Sequence, residues 1–179
     1  MKRISAISAL LVSGSFLFAP VAKADQSLNL DFTGVAQANC LFTNITSGLV
    51  IAKGVDIGTI GSSSNGTLGT VGGVTAIPAG FTAECNSQTA FFVDTPVADA
   101  ANPAFQAVST KSVLTDTTGT TQIEAYTASP SGGTVTSDQF LPLAAATPSV
   151  MEVDMNVQST SGIPVGIYKY TILVTSVPQ

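Results

Sequence analysis

Apolar and polar side chains alternate along much of this chain with a period of two, and helical periodicity is almost absent. The clearest case is the stretch 150–157. Its apolar side chains share one parity: Met151, Val153, Met155 and Val157. The other parity holds Glu152, Asp154 and Asn156. This pattern predicts a strand with one buried face and one face in water.

Further strands are predicted at 49–60, 80–85, 89–94, 105–110, 121–128 and 166–177. Gly-, Ser-, Asn- and Pro-rich turn stretches separate them at 61–66, 96–103, 116–119 and 129–133. Residues 69–73 form a glycine-rich stretch without the lysine of a phosphate loop, so we interpret them as a turn between strands. Many short strands with regular breaks favour a single all-β domain, a sandwich or a barrel.

The longest alternating stretch starts at Leu28 and keeps one parity for fifteen positions, to Phe42. Fifteen extended residues reach about 50 Å at ~3.3 Å each, whereas a domain of this size is about 40 Å across. Two outcomes are open. The strand bends at Gly34 and stays in its own sheet, or the residues before Gly34 project and add a strand to another molecule.

The first 24 residues have the pattern of a secretory signal peptide. Two basic residues, at positions 2 and 3, precede a mostly apolar run over 4–19, and Ala22-Lys23-Ala24 offers the small residues that a signal peptidase accepts. A transmembrane anchor is disfavoured because the run is short and contains Ser and Gly. We expect cleavage after residue 24.

The remaining 155 residues carry three lysines and eleven acidic residues, hence a net charge of −8. Such a surface repels nucleic acid and anionic lipid. No later stretch has the length of a membrane helix. We therefore expect no nucleic-acid partner and no direct insertion into a membrane.

The chain has two cysteines, Cys40 and Cys85, both after the signal segment. An even count in an oxidising compartment predicts one disulfide, worth about 4 kcal/mol for a loop of this length. The alternatives are a metal-binding pair or two free thiols. The chain has no histidine and no Cys-x-x-Cys, which disfavours a metal.

Few side chains are suited to catalysis. The chain has no histidine, and its one arginine lies in the signal segment. No Gly-x-Ser-x-Gly motif occurs. A glycosidase-like carboxylate pair from Asp56, Glu84, Asp94 or Glu124 is the remaining option, but scattered acids are more simply explained as solvated surface. We expect no enzymatic activity and no cofactor.

The stretch Phe32-Thr-Gly-Val-Ala-Gln-Ala-Asn-Cys40 resembles the start of chaperone–usher pilins and of spore-coat-U-like secreted proteins. These begin with an alternating extension, an aromatic-x-Gly and a short run to the first cysteine. Their second cysteine stands where Cys85 does, and Gly166-Ile167-Tyr168 matches the Gly-x-Tyr that introduces their last strand. The resemblance implies an immunoglobulin-like β-sandwich with one disulfide that lacks one strand. A periplasmic chaperone fills the gap first, and the N-terminal extension of a neighbour fills it afterwards.

The resemblance also implies roles for individual residues. After the signal peptide at 1–24, it implies an extension at 25–34 and a β-sandwich domain at 35–179, with the Cys40–Cys85 bridge. The donor-strand side chains would be Leu28, Leu30, Phe32 and Gly34. The core-facing side chains of the last strand, beside which a donor lies, would be Tyr168, Tyr170, Ile172 and Val174. Pro178 lacks an N–H, so pairing of that strand is predicted to stop there.

Two functional hypotheses follow. The first is a structural subunit of a bacterial surface fibre or coat, assembled by donor-strand exchange. Its partners would be copies of itself or related subunits, a periplasmic chaperone and an outer-membrane usher, and it would pass through the periplasm to the cell surface. The alternative is a self-contained secreted β-sandwich that acts as a binding or adhesion module. Tyr126 and the 61–66 loop would be its natural binding places.

Overall fold

The structure, a computed structural model, describes residues 37–118, 121–127 and 141–179. The predicted signal segment and the predicted donor side chains Leu28, Leu30, Phe32 and Gly34 lie outside the described residues, as does the turn predicted at 129–133. Every regular element within the described ranges is a β-strand. The predicted all-β class is therefore confirmed.

Fourteen strands are present in the described residues. In chain order they are β1 (Cys40–Thr46), β2 (Ile51–Lys53), β3 (Asp56–Gly58), β4 (Thr70–Val71), β5 (Val74–Thr75), β6 (Ala79–Cys85), β7 (Thr89–Val93), β8 (Val97–Ala98), β9 (Ala107–Asp116), β10 (Thr121–Tyr126), β11 (Leu141–Leu143), β12 (Ser149–Ser159), β13 (Tyr170–Thr171) and β14 (Val174–Pro178).

Strand β12 is the centre of the main sheet. One of its sides pairs with β9 over most of its length. Its other side pairs with β6 in its first half and with β3 in its second half. Beyond these neighbours lie β10 next to β9, β1 next to β6 and β2 next to β3. All pairs are antiparallel.

A second group of strands contains the C-terminus. β7 pairs with β11 on one side and with β14 on the other, and β8 pairs with β13. β4 and β5 form a separate two-stranded hairpin across Gly72-Gly73, as the turn prediction required. In the described residues each sheet is open at both ends of its strand order.

The main hydrophobic core lies between these two groups of strands. Its buried members come from β6, β9, β10 and β12 on one side and from β7 and β11 on the other: Ala83, Cys85, Phe91, Val93, Leu114, Ile123, Ala125, Leu143, Met151 and Val153. A second cluster joins Ile57 of β3 to Met155 and Val157 of β12. All four apolar side chains predicted on one face of β12 are buried, which confirms that part of the pattern.

The other face of β12 is wetter at its start than at its end. Glu152 is exposed, but Asn156 is only 1 % exposed, so its prediction as a solvated residue is wrong. Its Nδ2 donates a hydrogen bond to the carbonyl oxygen of Ile60 at 2.8 Å. The segment around Ile60 thus packs on the outer face of the sheet, and the Asn156 amide supplies a hydrogen bond to a backbone carbonyl of that segment.

Four of the predicted segments differ from the structure. Residues 49–60 contain two strands, because Gly54 has a φ of 68° and turns the chain between β2 and β3. The break predicted at 96–103 holds the short strand β8, and the strand predicted at 105–110 begins later and continues to Asp116. The strand predicted over 166–177 is divided into β13 and β14. Pairing reaches Pro178 as predicted, but one further backbone bond joins Gln179 N–H to Gln88 O at 2.9 Å.

The predicted disulfide is present. Cys40 and Cys85 are direct partners at one end of the β1–β6 ladder, with a Cα–Cα distance of 4.0 Å and an S–S distance of 2.03 Å. Neither cysteine is free, so the metal-pair and free-thiol alternatives are excluded. Because β1 pairs only with β6 in the described residues, the bridge fixes an edge strand to the sheet.

Replacing both cysteines, Cys40→Ser with Cys85→Ser, should lower the free energy of unfolding by about 4 kcal/mol, because the unfolded chain loses a cross-link spanning 45 residues. Urea denaturation measures this loss. Hydrogen exchange should also speed up along β1, which no other described strand holds. The reduced wild-type protein is the matched control and should behave like the variant. Equal stability of variant and oxidised wild type would contradict the prediction.

Candidate functional site

A large apolar groove of about 1150 Å³ runs between the main sheet and the C-terminal segment. β1, β3, β6 and β12 contribute residues to one side of it, and residues 163–174 form most of the other side. The volume exceeds that of a typical small-molecule pocket, about 300–1000 Å³. The groove therefore suits an extended ligand better than a compact one.

Aromatic and aliphatic side chains of the main sheet form the floor of this groove. Phe42 of β1 packs edge-to-face against Phe81 of β6 at 5.7 Å between ring centroids, and against Phe91 at 6.3 Å. Val153 and Met155 of β12 continue the floor. These are the inward-facing positions that the alternation in β12 predicted.

The opposite wall includes all four residues that were predicted as the core-facing set of the last strand. Tyr168, Tyr170, Ile172 and Val174 are all half-buried and all line the groove. The residues between them are exposed. The structure thus places the predicted set on one face, and that face borders an open groove. The part of this set in strand assembly stays a prediction.

Three strands that contribute residues to the groove have an unpaired edge within the described residues. β1 pairs only with β6, and β13 and β14 pair only with β8 and β7. Unpaired edges present backbone N–H and C=O groups that readily accept another strand. The groove is therefore lined in part by strands that each keep one unpaired edge in the described residues.

Strand β1 is largely exposed in the described residues. Leu41 and Ile45 are 60 % and 75 % exposed. The ladder with β6 is irregular between Thr43 and Thr46, and Asn44 has a φ of 52°, as in a β-bulge. The bulge interrupts the period-2 pattern, so alternation alone could not show that Ile45 lines the groove.

A protruding apolar segment forms the rim. Val165 and Ile167 are exposed. The hydroxyl of Tyr168 donates a hydrogen bond to Pro164 O at 2.6 Å. The close packing of the chain explains why the first residue of the Gly-x-Tyr motif is glycine. A Cβ on Gly166 would meet the Cγ atom of Pro103 at 2.3 Å, so only glycine lets the segment pass this close.

The groove is also poor in polar partners. The Tyr170 hydroxyl is buried and finds no hydrogen-bond partner among the described residues. Burial, and to a smaller extent the neighbouring Tyr168, raise the pKa of Tyr170 to about 12. Asp99 and Lys169 are the charged residues among the groove's lining. The arrangement therefore favours an apolar ligand with backbone hydrogen-bonding groups over a charged one.

The described residues contain no cluster of His, Cys, Asp or Glu that could hold a metal ion, and no helix there is long and apolar enough to cross a membrane. Tyr126 is half-buried and pairs in register with Lys111, whose ammonium contacts the 61–66 loop. The two places expected for a binding module are therefore near neighbours, away from the groove.

No family model, curated protein or solved structure matches this chain. The interpretation of the groove therefore depends on its own geometry and on the sequence.

Tyr170→Phe should leave stability at neutral pH unchanged or raise it by up to about 1 kcal/mol, because it removes a buried hydroxyl without a partner. The raised pKa of Tyr170 determines whether stability rises or falls at alkaline pH. Between pH 10 and about 12 the unfolded state of the wild type loses the Tyr170 proton first, so its stability falls, and the variant should lack this part of the fall. Urea denaturation across this pH range measures both effects.

Tyr168→Phe is the matched control. It removes a hydroxyl that donates to Pro164 O, so it should destabilise the protein by about 1 kcal/mol at neutral pH. Equal losses in the two variants would contradict the assignment of Tyr170 as the residue without a partner.

Proposed function

We propose that this chain is an exported structural subunit of a bacterial surface fibre or coat. Residues 25–34 of one copy occupy the groove of the next and add the strand that its sheets lack. The observation that carries the proposal is the apolar groove, which is flanked by the unpaired edges of β1 and of β13 and β14. Strand addition of this kind combines main-chain hydrogen bonds with side-chain pockets.

The proposed donor and the groove wall match in the number and parity of their side chains. The donor positions Leu28, Leu30, Phe32 and Gly34 share one parity. The wall positions Tyr168, Tyr170, Ile172 and Val174 share one parity over the same number of residues. An extended donor spans about 20 Å from its first to its last position at ~3.3 Å per residue. The wall positions lie in and beside the short strands β13 and β14, so the donor and the wall agree in the number and the parity of their side chains.

Burial supplies much of the driving force. Three large apolar side chains, Leu28, Leu30 and Phe32, contribute about 5–9 kcal/mol before costs. Ordering the donated segment offsets part of this gain. Hydrogen bonds to the free edge add to it and fix the strand's direction. Gly34 needs least room and suits a shallow part of the groove.

We also propose that the fold is an immunoglobulin-like sandwich that lacks one strand. Its support is that two open groups of strands enclose one core and that their open edges border the groove. A newly exported copy would expose this apolar surface, which is why a periplasmic chaperone and an outer-membrane usher are proposed as partners. The signal-peptide pattern and the disulfide support an oxidising, extracytoplasmic location. We propose no enzymatic role, because the chain lacks histidine and its groove is lined mainly by apolar groups.

Deleting residues 25–33 should give a domain that stays monomeric, with an empty groove. A synthetic peptide of residues 25–34 should then bind it and raise its melting temperature, because the peptide restores the missing strand. The control peptide carries Ser in place of Leu28, Leu30 and Phe32 and should not bind. Size-exclusion chromatography with light scattering and thermal denaturation are the measurements.

A pair of point variants tests the parity of the donor in the full chain. Leu30→Asp places a charge toward the groove and should abolish polymers, whereas Asn29→Asp places the same charge on the opposite face and should leave assembly intact. Polymers of the deletion variant would overturn strand donation. The self-contained binding or adhesion module would be favoured instead if the wild-type protein is a stable monomer and the deletion variant does not bind the peptide.

A further inference from the structure

A buried lysine lies on the outer face of the main sheet, away from the groove. Lys111 of β9 is 5 % exposed, and lysine is seldom buried unless its charge is paired. Its Nζ donates to the carbonyl oxygens of Ser64 at 3.2 Å and Ser62 at 3.5 Å, and to Oδ1 of Asn65 at 3.0 Å. The ammonium is thus enclosed by the 61–66 loop.

The Asn65 side chain lies between this amine and a carboxylate. Its Oδ1 accepts from Lys111, and its Nδ2 donates to Oε1 of Glu124 on β10. The β9–β10 register pairs Lys111 with Tyr126 and Val113 with Glu124, so Lys111 and Glu124 are diagonal neighbours on one face. An amine, a carboxamide and a carboxylate therefore meet at one place, contributed by three separate segments.

The surroundings favour a reactive amine. Burial lowers the pKa of Lys111, although Glu124 and then Asp56 act in the opposite direction. A lowered pKa increases the share of neutral amine, which is the nucleophilic form of lysine. The neighbouring carboxylate can accept and return a proton.

We propose that Lys111 and Asn65 join in an intramolecular isopeptide bond, with Glu124 as the proton-transfer group. The neutral Nζ of Lys111 attacks Cγ of Asn65, so an N–C bond forms. The bond between Cγ and Nδ2 breaks, and Nδ2 leaves as ammonia. Glu124 takes the proton that Nζ loses and delivers it to Nδ2, and so ends unchanged. No oxidant, reductant or further reactant is required.

The cross-link would tie the 61–66 loop to β9 across 46 residues of sequence. It is separate from the disulfide, which joins β1 to β6. Unlike the disulfide, it would survive reduction. The inference goes beyond the proposed function and does not depend on it, since the three side chains meet within one copy.

A competing reaction exists at the same asparagine. Gly66 follows Asn65, and an Asn-Gly sequence is open to deamidation by attack of the glycine nitrogen on Cγ. Deamidation adds about 1 Da and leaves the lysine free, whereas the isopeptide bond removes about 17 Da as ammonia and blocks the lysine. The succinimide formed on the way to deamidation has also lost about 17 Da, but it leaves the lysine free, so mass and trypsin cleavage after Lys111 together separate the two reactions.

The test is trypsin digestion and mass spectrometry of the purified, folded wild-type protein after reduction and alkylation. Lys53, Lys111 and Lys169 are the basic residues after the signal segment, and a cross-linked lysine resists trypsin. The proposal expects one fragment of residues 54–169, about 17 Da lighter than its sequence mass. Separate fragments 54–111 and 112–169 would overturn it, whether fragment 54–111 keeps its mass, gains about 1 Da by deamidation or loses about 17 Da as a succinimide.

Two variants assign the roles. Lys111→Arg keeps the positive charge but supplies no amine nucleophile, so the loss of ammonia should disappear and cleavage after 111 should return. Glu124→Gln keeps a hydrogen-bond acceptor for Asn65 but cannot carry the proton, so it should also stay uncross-linked. Glu152→Gln changes an exposed carboxylate elsewhere and should cross-link like the wild type. Full cross-linking of Glu124→Gln would overturn the role of Glu124, and circular dichroism shows that each variant is folded.

Discussion

The unpaired backbone edges of the strands beside the groove constrain what can fill it. Buried N–H and C=O groups need partners, and an unpaired strand edge offers them to any suitable strand. Here the edges of β1 and of β13 and β14 flank an apolar groove instead of water alone. A polar side chain cannot satisfy both the edge and the groove. An extended strand with apolar side chains on one face can.

Local alternation predicted those parts of the fold in which one strand face meets the core. It placed Met151, Val153, Met155 and Val157 correctly, because their burial depends only on which side of β12 they occupy. The family resemblance implied one core-facing set of Tyr168, Tyr170, Ile172 and Val174, and all four line the groove. The cysteine pairing was predictable because two cysteines allow a single intramolecular bridge.

The pattern failed where burial depends on segments that are distant in sequence. Asn156 is polar, yet the segment around Ile60 covers it and takes up its amide. Residues 49–60 read as one strand, although a left-handed glycine turns the chain within them. The burial of Lys111 likewise depends on the 61–66 loop, whose Asn65 is 46 residues away in the sequence. No periodicity in the sequence encodes such contacts.

The two faces of the main sheet separate the two proposed chemistries. Register pairs Val153 with Leu114, and both face the main core. It also pairs Asn156 with Lys111, and neighbouring residues of a strand point to opposite faces. The groove and the Lys111–Asn65–Glu124 cluster therefore lie on opposite sides of one sheet. A bond formed on the outer face would stiffen β9, the neighbour of β12, without entering the groove. Strand addition and covalent fastening can thus operate in the same subunit, and each can be removed without disturbing the other.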